Sequence, residues 1–188
     1  PKTPRRQRQM CIRDRKEQVA GVAIDVGSTT MSAHLCDMVT GDVLASTGAM
    51  NPQIRFGEDL MSRVSYGIMN PGGHLEMTTA VIDGLQKLVS GAAEQAGMAV
   101  EDVVEIVLVG NPVMHHLLLG IDPVELGGAP FALAVDTAVE MRAAELGLAV
   151  NEGARVYVLP CIAGHVGADA AGVVLAEAPQ KDLSLIHI

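Results

Sequence analysis

Three short apolar segments separated by tight turn signals lie within residues 19–49, and this pattern limits the fold more than any other. The segments cover residues 19–24, 31–37 and 43–49, and the second has apolar positions near period two. Thr40-Gly41-Asp42, between the second and third segments, is a hairpin turn signal. Because strands joined by such short turns pair with their neighbours in sequence, we expect an antiparallel three-stranded meander.

Helical and strand patterns alternate after the meander. We expect helices over residues 56–69, 74–96, 113–119 and 168–178, and largely apolar strands over residues 104–109 and 155–159. The expected inward stripe of the first helix consists of Leu60, Met61, Val64 and Ile68. Residues 120–153 contain many Gly and Pro and have no clear assignment. The order predicts an α/β fold of the ribonuclease-H-like (actin-like) kind, a mixed sheet with helices on both faces.

Positive charge is concentrated at the amino-terminal end of the chain. Residues 1–16 hold seven of the 13 Lys and Arg residues and one acidic residue. The string RQRQMCIRDR in this segment, and the closing DLSLIHI, resemble translated sequencing-adapter readthrough. We therefore expect residues 1–16 and 181–188 to be non-native extensions around a native fragment of about residues 17–180. A basic arm that binds nucleic acid is the alternative for the first segment.

The whole chain is acidic and poor in aromatic residues. Its formal net charge is −9, and aromatic residues make up 2% of the sequence. An acidic chain lacks the broad phosphate-backbone footprint of nucleic-acid-binding proteins, and too few aromatic rings are present to stack single-stranded bases. No apolar run approaches the roughly 20 residues that span a bilayer. The sequence therefore predicts neither a nucleic-acid nor a membrane partner.

The first candidate phosphate-binding turn is Asp25-Val26-Gly27-Ser28-Thr29-Thr30, at the end of the first strand. Glycine lets the backbone approach an anion without a Cβ in the way. Successive N–H groups and the three hydroxyls of this turn are suited to phosphate oxygens. Asp25 is expected to hold Mg²⁺ through its water shell, because that ion favours carboxylate and water ligands. The alternative is a plain hairpin whose Gly and Thr serve only the turn.

The second candidate turn is Gly164-His165-Val166-Gly167-Ala168-Asp169, between the last strand and the last helix. A Gly-rich turn that leads into a helix is suited to anions, because free N–H groups and the helix dipole both favour negative charge. A close crossing of strand and helix that requires glycine for packing is the alternative. Two such turns after two strands together predict binding of the phosphates of a nucleotide.

The histidine pair and the cysteines are the residues to consider as metal ligands. Neighbouring His115 and His116 would point about 100° apart on a helix and cannot easily ligate one ion, so one of them is expected to face the cleft instead. The three cysteines Cys11, Cys36 and Cys161 form no CxxC motif, which argues against a disulfide framework or a self-contained cluster and is typical of a reducing cytoplasm. Cys161 is interpreted as a small buried side chain.

Five segments of the sequence resemble one protein family. They are DVGSTT, NPQIRFGEDLMSRVSYGIMNPGG, VLVGNPVMHHLLLG, GGAPFALA and VYVLPCIAGHVGAD. Together they resemble the ATP-binding part of the reductive activators of corrinoid proteins, within the actin/Hsp70/sugar-kinase (ASKHA) superfamily. The resemblance covers about residues 19–178. It implies a first ribonuclease-H-like ATPase subdomain over residues 17–160 and the truncated start of a C-terminal ATPase region over residues 161–180.

The resemblance implies a function for the parent protein. Such activators couple ATP, with Mg²⁺, to the one-electron reduction of Co(II) to Co(I) in a corrinoid protein of a methyltransferase system. The implied partners are that corrinoid iron–sulfur protein and an upstream ferredoxin-like domain with a [2Fe-2S] cluster. A homodimer is a further expectation left open. The fragment alone is expected to be inactive.

The resemblance also implies roles for individual residues. Asp25 and Asp169 are the implied catalytic carboxylates. The implied phosphate-binding and cleft-closing residues are Gly27, Ser28, Thr29, Thr30, Gly110, Asn111, Gly164, His165, Val166 and Gly167. The second turn departs from the D-x-G-x-x-T pattern common in the superfamily, and no adenosine-binding Gly pair follows it.

Arg55 and Arg63 are two of the five basic residues within residues 17–180. We expect them to form a surface that meets the corrinoid partner or a neighbouring domain; a solvated helix face with local ion pairs is the alternative. Two other functions stay open for the whole chain. An acetate- or sugar-kinase-like phosphotransferase would share DVGSTT but needs a general base that the sequence does not reveal. A non-catalytic docking or dimerisation domain would keep the fold without ATP.

Overall fold

The computed structural model describes residues 19–177. The predicted extensions over residues 1–16 and 181–188 lie outside this range. The strands are β1 (Ala20–Val26), β2 (Thr30–Asp37), β3 (Val43–Met50), β4 (Val103–Gly110), β5 (Val139–Arg142) and β6 (Arg155–Val158). They form one six-stranded sheet in the order β3-β2-β1-β4-β6-β5. The helices are α1 (Leu60–Met69), α2 (Gly73–Gln95), α3 (Pro112–Leu118), α4 (Ala143–Leu146) and α5 (Ala168–Glu177).

The predicted meander is confirmed. β1 pairs antiparallel with β2, and β2 pairs antiparallel with β3. In the turn between β2 and β3, the Asp37 carboxylate accepts hydrogen bonds from the backbone N–H groups of Val39, at 2.7 Å, and Thr40, at 3.1 Å. Gly41 in the same turn has a φ of +80°, a left-handed conformation that favours glycine.

Parallel pairing brings three strand ends to one edge of the sheet. β1 runs parallel to β4, with Val26 opposite Gly110, and β4 runs parallel to β6. The carboxyl ends of β1, β4 and β6 therefore lie side by side, and the two candidate turns follow the first and last of them. The sequence pattern missed β5, which pairs antiparallel with β6 at the edge of the sheet.

The first helix begins later than expected. Residues Pro52–Phe56 form a separate 3-10 turn, and α1 begins after Asp59, whose side chain accepts a hydrogen bond from the Ser62 N–H at 2.7 Å. The inward stripe was also partly wrong, because Met61 and Ile68 are exposed. Arg63 and Val64 are the buried residues of this helix.

The main core lies on one face of the sheet. Apolar residues of α2 pack there against β2 and β3, in a cluster that also contains inward-facing residues of β1 and β4. A smaller cluster lies on the opposite face, where α5 contacts β4. The predicted mixed sheet with helices on both faces is confirmed, although α5 leaves Val173, Val174 and Leu175 exposed. Within residues 19–177, no helix is long and apolar enough to cross a membrane.

Candidate functional site

An open crevice of about 840 Å³ lies at the sheet edge where β1, β4 and β6 end. The candidate residues that line it are Asp25, Asn111, His165, Val166, Gly167 and Asp169, together with His34, Val109, Pro112, Ala170, Gly172, Val173 and Ala176, which the sequence did not single out. Parallel strand ends account for this convergence, because the residues that follow such strands meet at one edge. Its volume lies in the range of small-molecule and cofactor sites.

Two carboxylates line the crevice. Asp25 belongs to β1, and Asp169 belongs to the first turn of α5. Partial desolvation raises the pKa of Asp25 above its ordinary value, and the negative charge of Asp169 raises it further. A carboxylate whose ionisation is opposed by a nearby negative charge favours a cation beside it. The pair suits Mg²⁺, which takes one or two protein carboxylates and keeps several waters.

The first turn does not line the crevice but follows Asp25 directly along the chain. Its backbone carbonyls are held from the protein side: the Asn51 side-chain N–H donates to the Gly27 carbonyl at 2.8 Å, and the Asn51 backbone N–H donates to the Thr29 carbonyl at 2.8 Å. A Cβ at Gly27 would lie 2.5 Å from the Thr30 carbonyl oxygen. This contact requires glycine for the turn itself, which is the reason that the plain-hairpin alternative gives.

Arg63 lies beneath the first turn and not on the surface. Its side chain is 0% exposed, so the expectation that it meets a partner was wrong. The guanidinium donates to the carbonyls of Ser28 and Gly57, to the side-chain oxygen of Gln53 and to the sulfur of Met114. A charged residue on a helix is usually assigned to solvent, which is why the sequence interpretation placed it outside.

Arg55 is exposed, as expected. Its guanidinium carbon lies 4.6 Å from the centroid of the Phe56 ring, a cation–π contact. The Phe56 ring packs in turn against Tyr66, with 5.0 Å between ring centroids. This stacking orients the Arg55 side chain while its charge remains accessible.

The second turn closes on itself. The backbone N–H of Ala163 donates to the Val166 carbonyl and the Val166 N–H donates to the Ala163 carbonyl, each at 3.0 Å. Gly164, at the tip, lies against the carbonyl of Phe131, and the rings of Phe131 and His165 meet nearly edge-on at 6.5 Å. The turn therefore has a backbone shape set independently of the first turn.

Gly167 joins the second turn to the end of β4. A Cβ at Gly167 would lie 2.5 Å from the Asn111 Cα and 2.6 Å from the Gly110 carbonyl oxygen. Gly110 likewise packs against β1, because its Cβ would lie 2.9 Å from the Val26 carbonyl oxygen. These contacts bring the chain after β1, β4 and β6 to one place. The side-chain Oδ1 of Asn111 caps α3 by accepting from the Met114 N–H at 3.0 Å.

The histidine pair does not line the crevice, so the expectation that one ring faces the cleft was wrong. Both rings are buried. The His116 Nδ1–H donates to the Pro112 carbonyl at 2.8 Å, and its Nε2 accepts from the Ala134 N–H at 3.0 Å. Burial, and then the charge of His116, lower the pKa of His115 to about 4. Cys161 is buried too, and burial raises the pKa of its thiol.

Two residues near the site went unnoticed in the sequence. His34 lies on the same sheet face as Asp25, since β2 pairs His34 with Ala23, and its Nδ1 lies 2.8 Å from the Ser46 hydroxyl. The period-two alternation of β1 and β2 was the signal for that placement. The role of Asn51 beneath the first turn had no local signal. In residues 19–177, no group of three or more His, Cys, Asp or Glu side chains is arranged to hold a metal ion.

The chain is similar to known proteins along most of its length. The family model described as "RACo middle region" matches residues 20–182. The corrinoid activation enzyme RamQ of Eubacterium limosum is 29% identical over 173 residues. A solved structure of a reductive activator for corrinoid, iron–sulfur protein superposes with a TM-score of 0.81 at 34% identity, over 85% of this chain.

These relatives are much longer than the present chain. The RamQ match covers 92% of this chain but 29% of RamQ, and the structural match covers 25% of the solved chain. The similarity therefore concerns one part of each relative.

Proposed function

Since the chain belongs to the family described as the RACo middle region, we propose that it is the nucleotide-binding part of an activator that couples ATP to the reduction of Co(II) to Co(I) in a corrinoid protein. One observation carries the proposal: Asp25 and Asp169, from opposite ends of the described chain, line one crevice at the carboxyl edge of the sheet. Ligands of α/β sheets bind outside the carboxyl ends of strands. The two relatives, a corrinoid activation enzyme and a reductive activator, support the activator role.

Asp25 and Asp169 are proposed to hold Mg²⁺ through its waters, and the two turns to bind the phosphates. The residues proposed to contact phosphate are Gly27, Ser28, Thr29, Thr30, Gly164, His165, Val166 and Gly167. Gly110 and Asn111 would set the distance between the turns, because Gly167 packs on both of them. The protein would contact the phosphates and the adenosine of bound ATP, and the free energy of ATP binding would depend on how far the crevice is closed.

That dependence is what an activator needs. A ligand shifts a conformational equilibrium only by its difference in affinity for the two states. Electron transfer from a reduced [2Fe-2S] cluster to the corrinoid would oxidise the cluster by one electron and reduce Co(II) to Co(I). Closure around ATP would favour the state that binds the corrinoid protein in its reducible form. The cluster belongs to a ferredoxin-like domain expected in the parent protein.

Arg55 is proposed to contact the acidic surface of a partner. It is exposed, it is held by the Phe56 ring, and it is charged within an acidic chain. In the full-length activator, Arg55→Ala should weaken binding of the corrinoid protein severalfold, while Arg142→Ala, which removes another exposed arginine, should not. Equal affinities of both variants and the parent, measured by titration calorimetry, would remove Arg55 from the interface.

Nucleotide binding is tested on this chain directly. Titration with Mg-ATP and with Mg-tripolyphosphate, which lacks adenosine, should give binding that requires Mg²⁺. Asp25→Asn and Asp169→Asn should each lower the affinity at least tenfold, and Asp136→Asn, an exposed carboxylate away from the crevice, should leave it unchanged. Absence of binding by the unsubstituted chain would contradict the nucleotide role and favour a non-catalytic docking domain.

The redox role is tested on the full-length activator with its corrinoid partner. The Co(II)/Co(I) potential of the partner should be higher in the presence of activator and Mg-ATP than with activator alone, by spectroelectrochemical titration. An unchanged potential would contradict the proposed coupling. Transfer of phosphate from ATP to acetate or a sugar would instead support the phosphotransferase.

A further inference from the structure

The strongest unexplained feature of the molecule is a buried guanidinium. Arg63 is 0% exposed, and within residues 19–177 no carboxylate lies in ion-pair contact with it. Burial lowers the pKa of Arg63 to about 10, so the side chain keeps its positive charge at neutral pH. A buried charge is unfavourable unless it is well hydrogen-bonded, so its retention needs a reason.

The hydrogen bonds of Arg63 go to two backbone carbonyls, one side-chain amide oxygen and the sulfur of Met114. Its Nε donates to the Gly57 carbonyl at 3.0 Å and one terminal nitrogen donates to the Gln53 side-chain oxygen at 3.1 Å. The other terminal nitrogen donates to the Ser28 carbonyl. Gln53 is itself anchored, because its amide donates to the Met77 carbonyl at 2.9 Å. The guanidinium therefore connects the first turn to Gly57 and to Gln53, which is itself held by α2.

These bonds orient the peptide groups of the first turn. The carbonyls of Gly27, Ser28 and Thr29 all accept hydrogen bonds from Asn51 or Arg63, on the protein side. In a trans peptide the N–H points opposite to the carbonyl. The N–H groups of Ser28 and Thr29 therefore point away from the protein, and in the described part of the chain neither donates a hydrogen bond.

Arg63 also changes the strength of one donor. A charge-assisted bond to the Ser28 carbonyl polarises the peptide unit that it shares with Thr29, and hydrogen bonds along such a chain strengthen one another. The Thr29 N–H becomes a better donor to an anion. The positive charge behind the turn acts in the same direction, because few other groups screen it in the buried environment.

We infer that Arg63 is a positioning residue that holds the first turn in an anion-binding conformation from beneath, without touching the ligand. This inference rests on the proposed nucleotide role and adds to it a residue outside the crevice. It also assigns Asn51 the complementary task, since Asn51 fixes the carbonyls on either side of the one that Arg63 holds.

The test compares Arg63→Gln, Arg63→Lys and the exposed control Arg142→Gln in the full 188-residue chain. Affinity for Mg-tripolyphosphate is measured by calorimetry, and the amide resonances of Ser28 and Thr29 by ¹H–¹⁵N spectroscopy. Arg63→Gln should lower the affinity roughly ten- to hundredfold, the ratio expected when a hydrogen bond to a charged group is lost. Arg63→Lys keeps the charge but loses the planar set of several N–H donors, so the loss of affinity should be intermediate, about three- to tenfold.

The amide resonances separate positioning from general stability. The Thr29 amide should shift in both Arg63 variants before any ligand is added, while resonances of α2 stay in place. Should Arg63→Gln fail to fold, the affinity and the Thr29 shift of Arg63→Lys decide the matter. Parent-like affinity and an unmoved Thr29 resonance in the folded variants would overturn the role of Arg63 and leave the proposed function intact. No binding by the unsubstituted chain would overturn both.

Discussion

The two turns beside the crevice are held in different ways. The first is fixed by side chains that lie 24 and 35 residues away along the chain, Asn51 on Gly27 and Arg63 on Ser28. The second closes through its own backbone, and Gly167 packs directly on the end of β4. The shape of the first turn therefore depends on polar side chains, and that of the second on the absence of a Cβ. Each should fail under a different kind of substitution.

Added volume should break the second turn. Gly167→Ala places a methyl group 2.5 Å from the Asn111 Cα and 2.6 Å from the Gly110 carbonyl oxygen, and backbone atoms cannot move aside as a side chain can. We expect a loss of about 3 kcal/mol in the free energy of unfolding, measured by urea titration. Gly91→Ala is the control, because nothing lies within 4 Å of its Cβ and alanine favours a helix. Equal stability of the two variants would contradict the proposed packing constraint.

Loss of an amide should break the first turn. Asn51 is 1% exposed, and Asn51→Ala leaves the Gly27 carbonyl and the Gln53 N–H without their bonds. We expect a loss of about 2–3 kcal/mol in the free energy of unfolding. Asn151→Ala, which removes bonds at the protein surface, should cost less than about 1 kcal/mol by the same titration. A loss at Asn51 no larger than that at Asn151 would contradict the dependence of the turn on the Asn51 side chain.

Acid should lower the free energy of unfolding through buried His115 in α3, the helix that lies between the two turns in the sequence. Burial lowers the pKa of His115 from its ordinary value of 6.5 to about 4 in the folded chain. The unfolded state therefore takes up more protons between these values, and stability falls as the pH falls through that window. We expect a loss of about 2 kcal/mol between pH 7.5 and pH 5, measured by thermal unfolding. His115→Leu should remove most of this slope, and the remainder should come from His116, whose pKa is also lowered by burial. An unchanged slope in the variant would contradict the assignment.

Removing a charge should separate stability from binding. Because the charge of Asp169 opposes ionisation of Asp25, Asp25→Asn should stabilise the ligand-free chain at pH 7 by less than about 1 kcal/mol. The same variant should lose Mg²⁺-dependent binding of tripolyphosphate. Melting temperatures with and without that ligand provide the measurement, with Asp136→Asn as the control. A destabilised ligand-free variant would contradict repulsion between the two carboxylates.

The elements that were predicted correctly have patterns within a few neighbouring residues. Period-two alternation and a hairpin turn signal define the meander, and a stripe of apolar residues defines α2. β5 has only four residues and its place depends on pairing with β6, which no local pattern encodes. Tertiary pairing of this kind decides the state of short segments.

The candidate site divides along the same line. Parallel strands force Asp25 and Asp169 to one edge, so their meeting in the crevice followed from the order of elements. The burial of Arg63 did not, because its partners are backbone carbonyls and an amide that no sequence pattern marks. Reading Met61 and Ile68 as inward-facing residues turned the expected face of α1 away from the observed one, which placed Arg63 on the wrong side.

The parallel pairing of β1 with β4 joins segments about eighty residues apart in the chain and places Val26 opposite Gly110. Contacts this distant form only after the entropy of closing a long loop has been overcome. The meander consists of local contacts and can form before that loop closes. The crevice forms only afterwards, since Gly167 reaches it by packing on Gly110. A phosphate compound that binds there would stabilise only the completed native state. The rate at which binding of this compound recovers during refolding would therefore measure how fast the last long-range contacts of the chain form.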